Sequence, residues 1–219
     1  MAERTGLPGE SCVIVLRPEE GAPRSLTETI RELAPMEESD LLAEDGAGRV
    51  LLIKAGSDPD EAAEFAMAMI DTLEGETGIR LKAGISNVHH APEEWPAGYR
   101  EALEALEIGD RFGRKTPVQV YAHQLLERMM ERIPPEVRAD MRRQVFGGHP
   151  EEVLTEETRE TAESFFDADL NLSVAARQMF IHRNTLNYRL DRIRRDTGLD
   201  LRSFRDAMIF RLLMTDPEQ

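Results

Sequence analysis

The chain has 219 residues, of which 41% are apolar and 32% charged, and its formal net charge is −15. This length is sufficient for one or two domains with a buried core. The sequence has no apolar run of about eighteen residues and begins without the pattern of a signal peptide, so we expect a cytoplasmic protein without a membrane span. The single cysteine, Cys12, excludes an internal disulfide and lies in an apolar run that predicts a buried strand.

The first 121 residues alternate predicted strands and helices. Strands are expected at 13–17, 40–44, 49–55, 79–86 and 118–121, and helices at about 25–34, 58–73 and 93–108. Ser25 and Glu28 have the spacing of a capping box, while Asp58 and Pro59 suit the cap and first turn of the second helix. Residues 45–48, Asp-Gly-Ala-Gly, favour a hairpin turn. The order β-α-β-β-α-β-α-β predicts an α+β domain over residues 1–121.

Residues 122–150 are predicted to form a helical connector. Two helices, at 122–133 and 137–146, are separated by Pro134 and Pro135, and the segment Gly147 to Pro150 marks a boundary. An apolar stripe follows the first helix and comprises Leu125, Leu126, Met129, Met130 and Ile133. Such a stripe packs within the monomer or forms a dimer seam, and the sequence leaves both interpretations open.

Residues 151–219 are predicted to form an all-α domain. Thr155 is expected to cap a helix that places Phe165 and Phe166 in the core. The last helix is expected to begin with a capping box at Ser203 and Asp206. Its predicted packing residues are Phe204, Met208, Ile209 and Leu212.

Residues 171–195 have the pattern of a helix-turn-helix that reads DNA. Ser173 is expected to cap the first helix, and the second helix is expected to start near His182. The predicted core of the motif consists of Ala175, Ala176, Leu186, Leu190 and Ile193. The alternative is an ordinary amphipathic helix whose polar face is solvated.

The outward face of the second helix carries the candidate DNA-binding residues. These are His182, Arg183, Asn184, Thr185, Asn187, Tyr188, Asp191, Arg194 and Arg195. Arginine can bridge O6 and N7 of guanine, and asparagine can bridge N6 and N7 of adenine. We therefore expect Arg183 and Asn187 to influence sequence preference, and Arg194 and Arg195 to contact phosphates.

The negative charge of the chain is unevenly distributed. Residues 171–215 contain nine arginines and four aspartates, a net charge of +5. Because the whole chain carries −15 and residues 171–219 carry +3, residues 1–170 carry −18. This polarity favours a DNA contact that is confined to the C-terminal end.

The segment has a distinctive string, His182-Arg-Asn-Thr-Leu-Asn-Tyr-Arg-Leu190, with Ala175 and Ala176 before it and Ile193 after it. It resembles the C-terminal domain of PucR/CdaR-type bacterial transcription regulators, and its layout is similar to the helix-turn-helix of the nucleoid protein Fis. The second resemblance implies that His182, Arg183, Thr185, Asn187 and Tyr188 approach DNA. Tyr188 departs from Fis, which has a basic residue at that position.

The N-terminal region resembles the GGDEF-like domain of CdaR-type proteins, through the element order and the segments 82–86 and 98–106. Catalytic GGDEF domains carry their signature on the central hairpin and a metal-binding acid after the first strand. Here the hairpin reads Glu44-Asp-Gly-Ala-Gly-Arg49, and Leu16-Arg17-Pro18 follows the strand. We expect no cyclase activity, no catalytic residues, no metal and no cofactor. His89 and His90, beside Glu93 and Glu94, are interpreted as surface residues.

Together these features predict a sequence-specific DNA-binding transcription regulator that controls metabolic genes in response to an unknown signal. Its expected partners are double-stranded DNA and a second copy of the chain, as a homodimer or higher oligomer. The alternatives are a nucleotide-binding or cyclase-like enzyme and an interaction scaffold that binds no DNA.

Overall fold

The computed structural model describes residues 9–19 and 26–215 and divides into two compact units, Met1–Arg128 and Met129–Gln219. The first unit contains a five-stranded sheet of β1 (Ser11–Pro18), β2 (Leu41–Glu44), β3 (Val50–Ala55), β4 (Leu81–His89) and β5 (Val118–Val120). Its helices are α1 (Leu26–Leu33), α2 (Pro59–Thr77) and α3 (Trp95–Arg111). The predicted element order and the α+β class are confirmed.

The strand order in the sheet is β2-β3-β1-β4-β5, with β4 and β5 parallel and all other neighbours antiparallel. Because β1 is central and helices cover both faces, its alternate side chains enter two cores. Cys12, Ile14 and Leu16 pack with α1 and α2, whereas Val13 and Val15 pack with α3. The expected burial of Cys12 is confirmed.

The start of α2 follows the sequence signals closely. The Asp58 carboxylate accepts hydrogen bonds from the N–H groups of Asp60 and Glu61, both at 2.9 Å, and the Glu61 carboxylate accepts from the N–H of Asp58 at 3.2 Å. The helix continues past the expected end, to Thr77, and stops at Gly78, whose φ is +72°. The capping residue expected before α1, Ser25, lies outside the described residues.

The described part of the second unit is helical. Its helices, with α4 spanning the boundary, are α4 (Leu125–Glu131), α5 (Pro135–Phe146), α6 (Pro150–Val153), α7 (Glu156–Asp167), α8 (Leu172–Gln178), α9 (Arg183–Thr197) and α10 (Phe204–Met214). The break at Pro134 and the cap at Thr155, whose hydroxyl accepts from the N–H of Thr158, agree with the sequence. The sequence did not predict α6, because four residues are too few to show a helical period.

The core of this unit joins α5 to α7 and α10. The ring of Phe146 packs edge-on against that of Phe210, with centroids 5.4 Å apart. Arg142 of α5 donates to the carbonyl of Leu213, and Arg159 donates to that of Met214 at 3.1 Å. These two arginines satisfy carbonyl groups at the end of α10 that have no partner within the helix. Thus α5, grouped with the connector from its sequence, is packed into the helical unit.

The predicted packing face of α10 is wrong for two residues. Phe204 and Met208 are 75% and 44% exposed. The buried residues are instead Ala207, Phe210, Leu213 and Met214. Because α10 has apolar residues around most of its circumference, periodicity alone did not identify the buried side. The Ser203 side chain makes no capping hydrogen bond, and the Asp206 carboxylate accepts from the N–H of Asp200 at 3.1 Å.

The apolar stripe of α4 is divided between interior and surface. Met130 is only 4% exposed, whereas Leu125, Leu126 and Met129 are 61%, 41% and 59% exposed. Of the five members of the stripe, Met130 is therefore buried within this chain, Ile133 is half-buried, and the other three form an exposed apolar surface.

A close contact between α3 and β4 gives a test of the first unit. A Cβ atom at Gly84 would lie 1.9 Å from the carbonyl oxygen of Ala102. We expect Gly84→Ala to lower the free energy of unfolding by about 1–3 kcal/mol, because α3 must move away from the sheet. Urea unfolding followed by the fluorescence of Trp95, the only tryptophan, measures this.

Gly75→Ala is the matched control. Gly75 lies in α2, and a Cβ there meets nothing within 4 Å. Since alanine is the better helix former, this change is expected to raise the stability by about 0.5–1 kcal/mol. Equal effects of the two substitutions would contradict the close contact.

Candidate nucleic-acid interface

The helix-turn-helix is built from α8, a four-residue turn and α9. The Asn171 side chain, not that of Ser173, caps α8 by accepting from the N–H groups of Ser173 and Val174 at 3.0 and 3.2 Å. The expectation for Ser173 was wrong because a cap at Ser173 requires a helix that starts at Val174, whereas α8 starts two residues earlier, at Leu172. The turn is closed by hydrogen bonds from the N–H of Phe180 to the carbonyl of Arg177 and from that of Ile181 to Ala176.

The second helix begins after His182 and ends at Gly198, whose φ is +76°. The Nδ1 atom of His182 accepts from the N–H of Asn184 at 3.2 Å. In the neutral ring this leaves the proton on Nε2, which is available as a donor at the entry end of the helix. The residues predicted for the motif core, Ala175, Ala176, Leu186, Leu190 and Ile193, are all buried.

Four side chains lie opposite this buried stripe on α9, at the spacing of successive helical turns: Asn184, Tyr188, Asp191 and Arg195. All four are exposed. The guanidinium of Arg195 lies 6.0 Å from the centre of the Tyr188 ring, a cation–π contact that supports both side chains. Arg183 and Thr185 are also exposed, near the N-terminus of the helix.

One flank of α9 is held by Arg202, from the loop before α10. Its guanidinium donates to the side-chain oxygen of Asn187 at 3.2 Å and lies 2.9 Å from the carboxylate of Asp191. It also pairs with Asp200 at 3.2 Å, and Asp200 pairs with Arg194 at 3.4 Å. Three residues predicted to bind DNA, Asn187, Asp191 and Arg194, therefore belong to one network of charged and polar groups within the chain.

The ionisation of Asp200 reflects this network. Partial burial would raise the pKa of Asp200, but hydrogen bonds from the N–H and the guanidinium of Arg202 outweigh burial and lower the pKa. The carboxylate is consequently charged at neutral pH and fixes Arg202 beside α9.

The opposite flank faces α7. Glu157 pairs with Arg189 and with Arg192, each at 3.0 Å, and Arg189 also donates to the hydroxyl of Thr161 at 3.4 Å. These two arginines are engaged with α7, so the freely presented positive charge of α9 lies at Arg183 and Arg195.

Sequence reasoning did not single out two residues at this site. Arg202 is distant in sequence from the residues it holds, so a helical pattern could not reveal it. Phe180 is 96% exposed in the turn and has a φ of +54°. The sequence shows an aromatic residue in the turn, but an aromatic residue does not by itself indicate a positive φ, a conformation that glycine usually adopts.

The first unit carries a polar cluster on its β2–β3 hairpin. The Asp45 carboxylate accepts from the N–H groups of Ala47 and Arg49, from the Arg49 side chain at 2.6 Å and from the Tyr99 hydroxyl at 2.5 Å. Partial burial would raise the pKa of Asp45, but these hydrogen bonds lower it to about 2. The hairpin acid is therefore engaged in fastening the hairpin to α3.

The histidines beside the start of α3 have ordinary partners. The interpretation as a surface residue was wrong for His89, which is buried because its ring packs against Gly98 of α3. His89 lies 3.3 Å from the carboxylate of Glu101, and exposed His90 pairs with Glu10 at 3.4 Å. Within residues 9–19 and 26–215, no three acidic, histidine or cysteine side chains gather as a metal-binding group. None of the described helices is long and apolar enough to cross a bilayer.

Both units match known domain families. Residues 158–215 match the PucR C-terminal helix-turn-helix domain, and residues 5–108 match the GGDEF-like domain. The chain therefore carries the domain pair of the PucR/CdaR type of regulator. The resemblance noted at His182–Leu190 thus extends over both units.

The relatives include two proteins that are named as regulators. The chain is 27% identical over 135 residues to the carbohydrate diacid regulator of Escherichia coli (strain K12). This alignment covers 60% of this chain and 34% of that protein. It is 23% identical over 175 residues to the purine catabolism regulatory protein of Bacillus subtilis (strain 168), covering 75% of this chain and 32% of that one. The chain therefore spans about a third of the length of these relatives.

A solved structure is also similar. The crystal structure of a regulator of polyketide synthase expression from Bifidobacterium adolescentis aligns with 97% of this chain and 82% of that chain, at 20% identity and a TM-score of 0.38.

The Arg202 network generates a prediction for this PucR/CdaR-type chain. Arg202→Ala leaves the Asp191 carboxylate without its guanidinium partner on the face expected to meet DNA. We expect the affinity for duplex DNA to fall about fivefold, or ~1 kcal/mol, in fluorescence anisotropy at low salt. The reason is repulsion between Asp191 and the phosphates.

Removing the charge of Asp191 is the control for this effect. In the double variant Arg202→Ala with Asp191→Asn, the affinity should return close to that of the unmodified chain. A double variant as weak as the single one would indicate that Arg202 acts by itself and not by neutralising Asp191.

Proposed function

We propose that this chain is a sequence-specific DNA-binding transcription regulator that inserts the N-terminal half of α9 into the major groove. The observation that carries the proposal is the exposed, donor-rich face of α9 opposite a fully buried stripe. Arg183 at the first helical turn, with Asn184 one residue later, has free access to base edges at this end of the helix. The names of the relatives support control of metabolic genes.

The candidate residues divide by role. We assign base reading to Arg183, Asn184 and Thr185, together with the amide nitrogen of Asn187, whose oxygen accepts from Arg202. His182 reaches DNA from the cap through Nε2, while Tyr188 and Arg195 act as a stacked pair. Arg194, near the end of the helix, contacts a phosphate once its ion pair with Asp200 is broken.

We assign DNA binding to the second unit and a regulatory or oligomerisation role to the GGDEF-like domain. The Phe146–Phe210 contact supports including α5 in the DNA-binding domain, which then begins before residue 135. The hydrogen bonds to Asp45 favour a structural use of the hairpin acid over cyclase chemistry.

Selection of bound duplexes from a random pool, with the full chain as bait, tests this function. We expect an enriched sequence, and we expect Arg183→Ala to lose discrimination at one base pair by about 1–3 kcal/mol. Arg143→Ala is the matched control, because Arg143 is an exposed arginine of the same unit that pairs with Asp140 on α5.

The outcomes separate the alternatives. Enrichment that is unchanged by Arg183→Ala would contradict the assigned reading residue. A folded chain that binds no duplex at low salt would instead support an interaction scaffold. Conversion of GTP with Mg²⁺ into a cyclic dinucleotide would support the enzymatic alternative.

We further propose that the working form is a homodimer or a higher symmetric oligomer. One helix-turn-helix reads few base pairs, and two copies related by a twofold axis engage half-sites about one helical turn apart. The exposed side chains of Leu125, Leu126 and Met129 on α4 support this helix as the seam. Buried Met130 is excluded from this surface.

Introducing charge on α4 tests the seam. Leu126→Glu with Met129→Glu should yield monomers in sedimentation velocity and bind a two-half-site duplex more weakly, because burying two carboxylates is unfavourable. Met208→Glu, at an exposed methionine of α10, is the control and should leave the oligomer intact. A monomeric unmodified chain with full affinity for one half-site would refute the dimer.

A further inference from the structure

The turn before α9 carries the most exposed large apolar side chain of the described residues. Phe180 is 96% exposed, compared with 75% for Phe204 and 64% for Tyr188. Its backbone has a φ of +54°, in the left-handed region. Bulky residues rarely adopt this conformation, since Cβ approaches the following carbonyl oxygen too closely.

Neither the exposure nor the backbone conformation of Phe180 stabilises the fold. The ring has almost no contact with the chain, so it contributes little to the core. Glycine would fit the left-handed position without strain and would satisfy the same turn hydrogen bonds, which involve only backbone atoms. An unfavourable residue at a tight turn beside a recognition helix points to a functional contact.

The turn fixes the direction of the Phe180 side chain. The next residue, Ile181, is half-buried and packs against the core of the second unit, while His182 beyond it is exposed. Two backbone hydrogen bonds, of 3.1 and 3.0 Å, hold this segment against the end of α8. The ring is therefore presented outward by a rigid turn, within about 11 Å of Arg183 along the chain.

The charge of the surroundings identifies the partner. Residues 171–190 contain no aspartate or glutamate, and three arginines, Arg177, Arg183 and Arg189, fall within this stretch. Arg177 and Arg183 are exposed on either side of the turn. An apolar ring between exposed cations fits a polyanion that also offers apolar surface, and duplex DNA has this combination in its thymine methyl groups and deoxyribose carbons.

We propose that Phe180 is a DNA-contacting residue whose ring packs against the apolar wall of the major groove when the first turn of α9 enters it. This inference rests on the proposed function, because it requires α9 to bind duplex DNA. The contact supplies affinity through apolar burial and supplements the arginine contacts, which act through charge. The rigid turn holds the ring in place before binding, so little conformational freedom is lost.

Two substitutions in the full chain test the contact. Phe180→Gly removes both the ring and the backbone strain, and Phe180→Asn removes the ring with a residue that tolerates the left-handed conformation. We expect both variants to unfold at a temperature equal to or above that of the unmodified chain. We expect their affinity for the selected duplex to fall about tenfold.

The dependence of binding on salt distinguishes an apolar contact from a charged one. The slope of log affinity against log salt should be unchanged in both variants, because no phosphate contact is lost. Phe180→Tyr, which retains the ring, should bind within about twofold of the unmodified chain. Phe204→Ala, at an exposed phenylalanine of α10 with ordinary backbone geometry, is the matched control and should leave the affinity unchanged.

Duplexes with deoxyuridine in place of thymidine identify the apolar group. If the effect of Phe180→Gly disappears on such duplexes, the ring contacts a thymine methyl group; if it persists, the ring contacts deoxyribose. Full affinity of both Phe180 variants would overturn the contact while leaving the proposed function intact. A failure of the unmodified chain to bind any duplex would overturn both.

Discussion

Burial of three aliphatic side chains on α9 decides which of its residues can meet another molecule. Leu186, Leu190 and Ile193 are at most 3% exposed. Burying each one is worth about 1.5–3 kcal/mol, so a rotation of the helix that exposed them would be strongly unfavourable. With the rotation fixed, Asn184 and Tyr188 must point outward. The His182 cap and Gly198 fix the two ends of the helix, so its extent as well as its rotation is determined locally.

The ion pairs along α9 determine how much positive charge this acidic chain presents on the helix that we propose binds DNA. Arg189 and Arg192 share Glu157, and Arg202 neutralises Asp191. Such exposed pairs contribute about 0–1 kcal/mol each, so an arginine can exchange a carboxylate for a phosphate at small cost. The pairs hold the side chains near the positions from which they would contact DNA. The net charge of −15 is therefore an incomplete guide to the proposed binding, because the charges nearest the helix contribute most to the potential there.

Local signals in the sequence predicted local structure well. The five strands, the Asp58 cap and the start of α9 depend on residues within a few positions of one another, and the structure agrees with them. Features that depend on tertiary packing were harder to predict from the sequence. Phe204 and Met208 are exposed because the opposite side of α10 packs against α5 and α7. The spacing of apolar residues in α10 does not indicate which side that is. The sequence analysis named only Ser173 as the cap of α8, but asparagine caps helices as well as serine does, and the start of α8 at Leu172 makes Asn171 the cap.

The candidate site shows the same limit. Its buried stripe and outward polar residues could be derived from helical spacing, and the resemblance to a known motif supplied further detail. The role of Arg202 could not be derived, because it follows α9 in the chain and returns to it only through the fold. The conformation of Phe180 was equally hidden, since an aromatic residue gives no sequence signal for a positive φ.

The hairpin of the first unit shows how surrounding hydrogen bonds determine what a carboxylate can do. Asp45 accepts from two backbone N–H groups, from Arg49 and from Tyr99, and its pKa is lowered to about 2. Below neutral pH the carboxylate stays charged until the pH approaches that value, so these bonds persist across the physiological range. A Mg²⁺ ion at Asp45 would have to displace the Arg49 guanidinium and the Tyr99 hydroxyl, which both donate hydrogen bonds to Oδ2 of Asp45. Because Tyr99 lies on α3, the acid joins the hairpin to the helix that covers the sheet, and we infer that it acts as a structural tie.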